Sequence, residues 1–157
     1  MPMAHSPRLS WDSSGVNEIE LIQVELDDDE RAFLRAALLD WGGPAAPTDG
    51  IASAMGFSDA QRLSAEAWSL WEQIEAGQSL GASDWRRTLL AVEVVFASDV
   101  VGSGLDWSIT SGISDEASIA ILRGLQRKLP RWRGSVQFEV DDAGDVALSN
   151  LQRPDVE

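Results

Sequence analysis

The chain contains no cysteine and no tyrosine, and its 157 residues include a single histidine, His5. Without cysteine it can form neither a disulfide nor a thiolate zinc site. These three residue types supply many of the groups that transfer protons, attack as nucleophiles or bind metals. His5 lies in a polar, proline-containing stretch that no core is expected to hold. The sequence therefore favours a binding protein over an enzyme, and it predicts no cofactor and no metal.

Long apolar runs are also lacking, since none approaches the roughly 18 residues that a membrane-spanning helix needs. The N-terminus shows no basic segment followed by an apolar one, which is the pattern of a secretory signal. These absences predict a cytoplasmic protein without membrane association. The length and a hydrophobic content of 44% are typical of one globular domain. We predict a disordered tail at residues 1–15, a single domain at residues 16–151 and a short tail at residues 152–157.

Positive charge is scarce: 12 Lys and Arg stand against 26 Asp and Glu, and the formal net charge is −14. The acids concentrate at the two ends, with a net charge of −7 in residues 1–30 and −5 in residues 139–157. Solubility requires a moderate net charge but not this segregation. The acidic ends could be solvated segments that have no function. Alternatively, they could form a surface that binds a cationic partner.

Hydrophobic periodicity and capping residues predict five helices. Asp27 or Asp28 caps the first, which ends at Trp41, and Thr48 caps a short one over residues 49–55. Three longer segments follow, over residues 58–76, 83–97 and 114–129. The most apolar of them, residues 83–97, is expected to be the central helix, with a strand over residues 92–97 as the alternative.

Alternating apolar residues predict a strand within residues 16–26 and a C-terminal hairpin with its turn at residues 142–144. The fold class that follows is α+β, mainly α. We expect a compact bundle of about five helices with a small antiparallel sheet formed by the N-terminal strand and the hairpin. If these strands pair, the acidic ends share one edge or face, which would carry Glu18, Glu20, Glu25, Glu139, Asp141 and Asp145.

A connection of about fifteen residues, from Asp99 to Ser114, is longer than most connections in compact domains. It brings together Asp99, Asp106 and Trp107. An aromatic side chain flanked by acids suits a protein-binding anchor, and long loops often carry function. These three residues therefore join the acids of the two ends as the predicted partner-binding residues.

Residues 51–67, IASAMGFSDAQRLSAEA, place a short helix, Gly56 and then a GFSD stretch before a second helix. This resembles the helix-turn-helix of arabinose-regulator-type transcription factors, in which GFSD opens the recognition helix. The resemblance implies DNA binding by the helix after Ser58. That helix carries a net charge of −3, however, and DNA affinity depends on neutralising phosphates. Nucleic acid is therefore not expected as a partner, although a helix-turn-helix regulator stays an alternative.

Two further sites are conceivable from the residues. Glu93 and Asp99 flank the end of the apolar helix, and a pair of carboxylates could support hydrolysis. The basic cluster from Arg123 to Arg133 could grip phosphate, but cations also favour a helix C-terminus and could pair with the chain's own acids.

The function predicted from these patterns is an acidic, non-catalytic binding protein that engages and neutralises a basic partner protein. Bacterial immunity proteins and inhibitors of nucleic-acid-binding proteins share this charge character. The first alternative is a structural or regulatory subunit of a larger assembly, with exposed tryptophans as its interface. A carboxylate-dependent enzyme is a further alternative.

Overall fold

The computed structural model describes residues 20–130, 137–140 and 146–149, and this part of the chain confirms a mainly α, α+β fold. It contains six α-helices and two small antiparallel sheets. The elements in chain order are β1 (Leu21–Ile22), α1 (Asp28–Asp40), α2 (Asp49–Ala54), α3 (Ala60–Glu75), β2 (Leu80–Gly81), α4 (Ala82–Ala97), α5 (Trp107–Ser111), α6 (Asp115–Lys128), β3 (Gln137–Val140) and β4 (Val146–Ser149). Both predicted tails lie outside these residues.

Among the described strands, the N-terminal strand does not join the C-terminal hairpin, so this part of the prediction is wrong. β1 pairs with β2 instead, and Leu21 lies opposite Gly81. The reason is tertiary, because the buried indole of Trp85 on α4 donates a hydrogen bond to the Ile22 carbonyl at 3.0 Å. The hairpin itself is confirmed: β3 pairs with β4, with Gln137 opposite Ser149.

Most helix starts follow the predicted capping chemistry. The Asp27 carboxylate accepts from the Glu30 N–H at 2.8 Å, and the Glu30 carboxylate accepts from the Asp27 N–H, which completes a capping box. Thr48 and Ser114 cap α2 and α6 as predicted. The cap of α3 is Asp59, one residue after the expected Ser58.

The core lies between α1 and the helices that surround it. α1 packs against α3, α4, α5 and α6, and α4, the helix predicted to be central, packs against α1, α3, α6, β2 and the turn at residues 104–106. Residues 82–97 form one continuous helix, and the strand alternative over residues 92–97 is wrong. Trp41 follows the last residue of α1, and its Nε1 donates to the Ala91 carbonyl of α4 at 3.2 Å. This hydrogen bond satisfies the buried indole.

Candidate protein-binding site

About half of the connection between α4 and α6, residues 98–114, is helical rather than irregular. A 3₁₀ turn at Gly104–Asp106 runs directly into α5. We call residues 98–111 the 98–111 segment. It exposes three aliphatic side chains, Val100, Leu105 and Ile109, which are 88%, 81% and 80% exposed.

The fold brings the backbone at these three residues close together. Leu105 and Ile109 are four residues apart across consecutive helical turns, so they fall on one side of the segment. The backbone of Asp99, next to Val100, lies against Gly104, since a Cβ atom on Gly104 would stand 2.4 Å from the Asp99 Cα. Scattered exposed aliphatics are ordinary, but neighbouring ones mark interaction surfaces.

Close backbone packing holds the 98–111 segment against the end of α4. The Ser103 N–H donates to the Val95 carbonyl at 2.8 Å, and the Gly102 N–H donates to the Ser98 carbonyl at 3.0 Å. A Cβ atom on Gly102 would stand 2.5 Å from the Val95 carbonyl oxygen, so only glycine allows this approach. The segment is therefore held in one conformation by α4 and not by its exposed side chains.

A buried carboxylate also holds the 98–111 segment in place. Asp40, at the end of α1, is buried and accepts hydrogen bonds from the Ser103 hydroxyl at 2.5 Å and the Thr110 hydroxyl at 3.1 Å. A buried carboxylate is costly unless it is hydrogen-bonded in this way. Asp40 thus ties both halves of the segment to α1.

Trp107 is not the exposed anchor that the sequence predicts, because the structure places its side chain entirely in the core. The indole Nε1 donates to the Ser118 hydroxyl on α6 at 2.7 Å. Its ring meets Phe33 and Phe96 edge-on, with centroids 5.2 and 5.7 Å apart. Trp107 positions the segment, and the apolar contacts available to a partner are those of Val100, Leu105 and Ile109, which sequence reasoning missed. The i, i+4 spacing of Leu105 and Ile109 around Trp107 is the signal that could have found two of them.

The stretch of chain that carries the three aliphatic side chains is anionic. Residues 88–122 contain five acids and no lysine or arginine. Asp99 and Asp106 are exposed within the segment, and Asp115 and Glu116 are exposed in the first turn of α6. The contact between Trp107 and Ser118 places that turn beside α5. We call the exposed carboxylates of Asp99, Asp106, Asp115 and Glu116 the acidic rim of the three aliphatic side chains.

Lys128, in the last turn of α6, is directed away from the 98–111 segment. The Nζ atom of Lys128 donates to the Glu30 carboxylate at 2.6 Å and to the Glu25 carbonyl at 3.3 Å. The hydrogen bond to Glu30 raises the pKa of Lys128, and the charges of Glu30, Asp27 and Glu25 act in the same direction. Ser118 and Lys128 are ten residues apart on one helix, about 15 Å along its axis. Lys128 therefore neutralises the start of α1 and not the 98–111 segment.

The remaining predicted partner-binding residues are acids of the two ends. Glu20 and Glu25 are exposed. Glu139 falls in β3, while Glu18, Asp141 and Asp145 lie outside the described residues. The meeting of the acidic ends at one face therefore stays a prediction, and its proposed basis, pairing of the first strand with the hairpin, is absent from the described strands.

The two carboxylates considered for catalysis both have structural partners. Glu93 is half-buried and accepts from the Gln126 amide at 2.5 Å, and Asp99 accepts from the Leu105 N–H at 3.0 Å. Within the described part of the chain no group of three or more His, Asp or Glu side chains could hold a metal ion. Over the same residues, no helix combines the length and apolar character needed to cross a membrane.

The segment that resembles a helix-turn-helix forms a corner between α2 and α3, with Gly56 at a φ of +94°. Its neighbouring cation is used inside the fold: Arg87 pairs with Glu66 at 2.8 Å and Asp84 at 2.7 Å. The Arg87 guanidinium also stacks 4.8 Å above the ring of Phe57. A pocket of about 220 Å³ beside this corner is smaller than the roughly 300–1,000 Å³ of most small-molecule sites.

No family of known proteins, no curated protein and no solved structure matches the chain.

Proposed function

We propose that this protein is an acidic, non-catalytic binding protein of the cytoplasm that engages and neutralises a basic partner protein. The observation that carries the proposal is the 98–111 segment, where exposed Val100, Leu105 and Ile109 lie in a stretch of chain, residues 88–122, that holds five acids and no lysine or arginine. The formal net charge of −14 gives the molecule as a whole the same sign.

The physical basis is electrostatic steering followed by short-range contact. A small domain with a field of one sign attracts an oppositely charged protein and raises the association rate. Exposed charges act over about 10 Å at 0.1 M salt, so this attraction weakens as salt is added. Apolar side chains at the contact then slow dissociation. Immunity proteins and inhibitors that cover a cationic surface share the acidic character.

The test is affinity capture by the full-length protein from its native cells at about 50 mM salt, where screening is weak. We expect a captured protein with a high isoelectric point that elutes as the salt concentration rises. A variant that removes two predicted carboxylates, Glu20→Gln with Asp106→Asn, should capture less of it. The matched control is Glu72→Gln with Glu75→Gln, which removes exposed acids from α3 instead. Capture of acidic or neutral proteins alone, retained at high salt, contradicts the proposal.

A second candidate function is that of a subunit in a larger assembly. Trp68 on α3 favours it, because this side chain is 50% exposed, whereas Trp41, Trp71, Trp85 and Trp107 are buried. Tryptophan is enriched at the centres of protein interfaces. Association that resists high salt and is lost in Trp68→Ala supports this function in place of the first.

A further inference from the structure

The exposed side chains of the 98–111 segment indicate which residue types a partner surface needs in order to bind it. We infer that the segment binds a stretch of the basic partner in which aliphatic side chains lie beside lysine or arginine. This inference rests on the proposed function and names the part of the partner that makes the contact. Its aliphatic groups would cover Val100, Leu105 and Ile109, and its cations would reach the acids at the rim.

The apolar part of the inference follows from exposure and support. Val100, Leu105 and Ile109 contribute little to the core, since each is at least 80% exposed. Their backbone is nevertheless fixed by Gly102 and Gly104, by Asp40 and by buried Trp107. A surface that is already ordered loses little conformational entropy when a partner covers it. The segment is therefore suited to act as a preformed apolar anchor.

The cationic part follows from charge complementarity. Asp99, Asp106, Asp115 and Glu116 are exposed around the anchor, and residues 88–122 supply no positive charge to pair with them. An uncharged apolar partner would remove water from these carboxylates without replacing their hydrogen bonds. A partner with lysine or arginine at the edge of its apolar patch avoids this cost.

Charge also argues against a second copy of this chain as the occupant. Two copies joined through this surface would bring their acidic rims together, and each copy carries a net charge of −14. Like charges placed opposite each other at an interface oppose association. The one lysine, Lys128, is held at the other end of α6 by Glu30. The occupant must therefore come from a protein of opposite charge.

The test uses three synthetic peptides of equal length with helical spacing: leucine with lysine, serine with lysine, and leucine with glutamate. Binding of each to the full-length protein is measured by fluorescence anisotropy at about 50 mM salt, where screening is weak. We expect the leucine–lysine peptide to bind about tenfold more tightly than the serine–lysine peptide, as a contact with a buried aliphatic anchor does. The leucine–glutamate peptide should not bind.

The matched variants are Leu105→Ser with Ile109→Ser, and Leu21→Ser as control, since Leu21 is 64% exposed on β1. The double variant should lose the preference for the leucine-containing peptide and keep its binding to the serine–lysine peptide. The control should bind like the wild type. All of these side chains are exposed, so circular dichroism should report an unchanged fold.

The experiment distinguishes failure of the proposed function from failure of the apolar anchor. If neither lysine peptide binds the wild type, the proposed function fails. If both bind with equal affinity, or if the double variant keeps the preference, the apolar anchor fails while the electrostatic function stands. Sedimentation that shows a dimer of the wild type but not of the double variant would assign the surface to a second copy and overturn the inference.

Discussion

The substitution Gly104→Ala tests whether close packing holds the 98–111 segment in place. Gly104 has a φ of +44°, and an added Cβ atom would stand 2.4 Å from the Cα, 2.7 Å from the N and 2.6 Å from the Oδ1 atom of Asp99. Two of these atoms belong to the backbone, so a side-chain rotation cannot relieve the overlap. Asp99 would have to move, and its hydrogen bond from the Leu105 N–H would be disturbed.

The expected cost has two parts. An alanine at positive φ costs about 1 kcal/mol relative to glycine. Forcing an extra carbon into a packed region adds about 1–3 kcal/mol. Gly104→Ala should therefore lower the free energy of unfolding by about 2–4 kcal/mol, measured by urea denaturation.

The control is Gly77→Ala. Gly77 also has a positive φ, +69°, but an added Cβ atom would meet no atom within 4 Å. This substitution should cost only about 1 kcal/mol, because it introduces strain without overlap. The difference between the two variants isolates the contact between Gly104 and Asp99. If the two lose the same stability, the close packing that we assign to the segment is refuted.

Three other predictions concern the buried Trp107, the roles of Asp106 and Leu105 in binding, and Lys128. Trp107→Phe leaves the buried Ser118 hydroxyl without its indole donor, so the free energy of unfolding, measured by urea denaturation, should fall by about 1–3 kcal/mol. Trp68→Phe at the surface should change it by no more than about 0.5 kcal/mol. Equal effects of the two substitutions would contradict the burial of Trp107. Asp106→Asn should slow association with a cationic peptide and reduce its salt dependence, and Leu105→Ser should speed dissociation without changing that dependence; stopped-flow kinetics that show the reverse would refute this division. Because the folded-state pKa of Lys128 is raised, its contribution to stability is fully present below the ordinary lysine pKa of about 10.4 and is lost as the pH rises through the raised value. The chain has no other lysine and no tyrosine or cysteine, so an unfolding series at alkaline pH should show this loss in the wild type but not in Lys128→Met.

Local signals in the sequence predicted most of the helices. Asp27, Thr48 and Ser114 act as caps through contacts within three residues, and such contacts are visible in a sequence. The cap of α3 was predicted one residue early, at Ser58 in place of Asp59, since adjacent residues can both supply an oxygen. The strand alternative over residues 92–97 failed because α4 packs as one continuous helix against α1.

The pairing of β1 and the position of Trp107 could not be predicted in the same way. β1 is held by Trp85, which is 63 residues after Ile22. Trp107 is buried because Phe33 and Phe96, from two other helices, surround its ring. Nothing near Trp107 in the sequence encodes these contacts, and its acidic neighbours favoured an exposed position. The sequence predicted that this segment is a binding site. Which of its side chains are exposed depends on which of them are buried in the core, and that is set by contacts with distant residues.

The measurement that tests the central claim most directly is the dissociation constant of the complex with the captured partner, determined over a salt series from about 50 to 500 mM, across which the screening length shortens severalfold. If the protein recognises a basic partner through its acidic surface, affinity falls steeply and continuously as salt is added. An affinity that stays constant over the whole series would contradict the account.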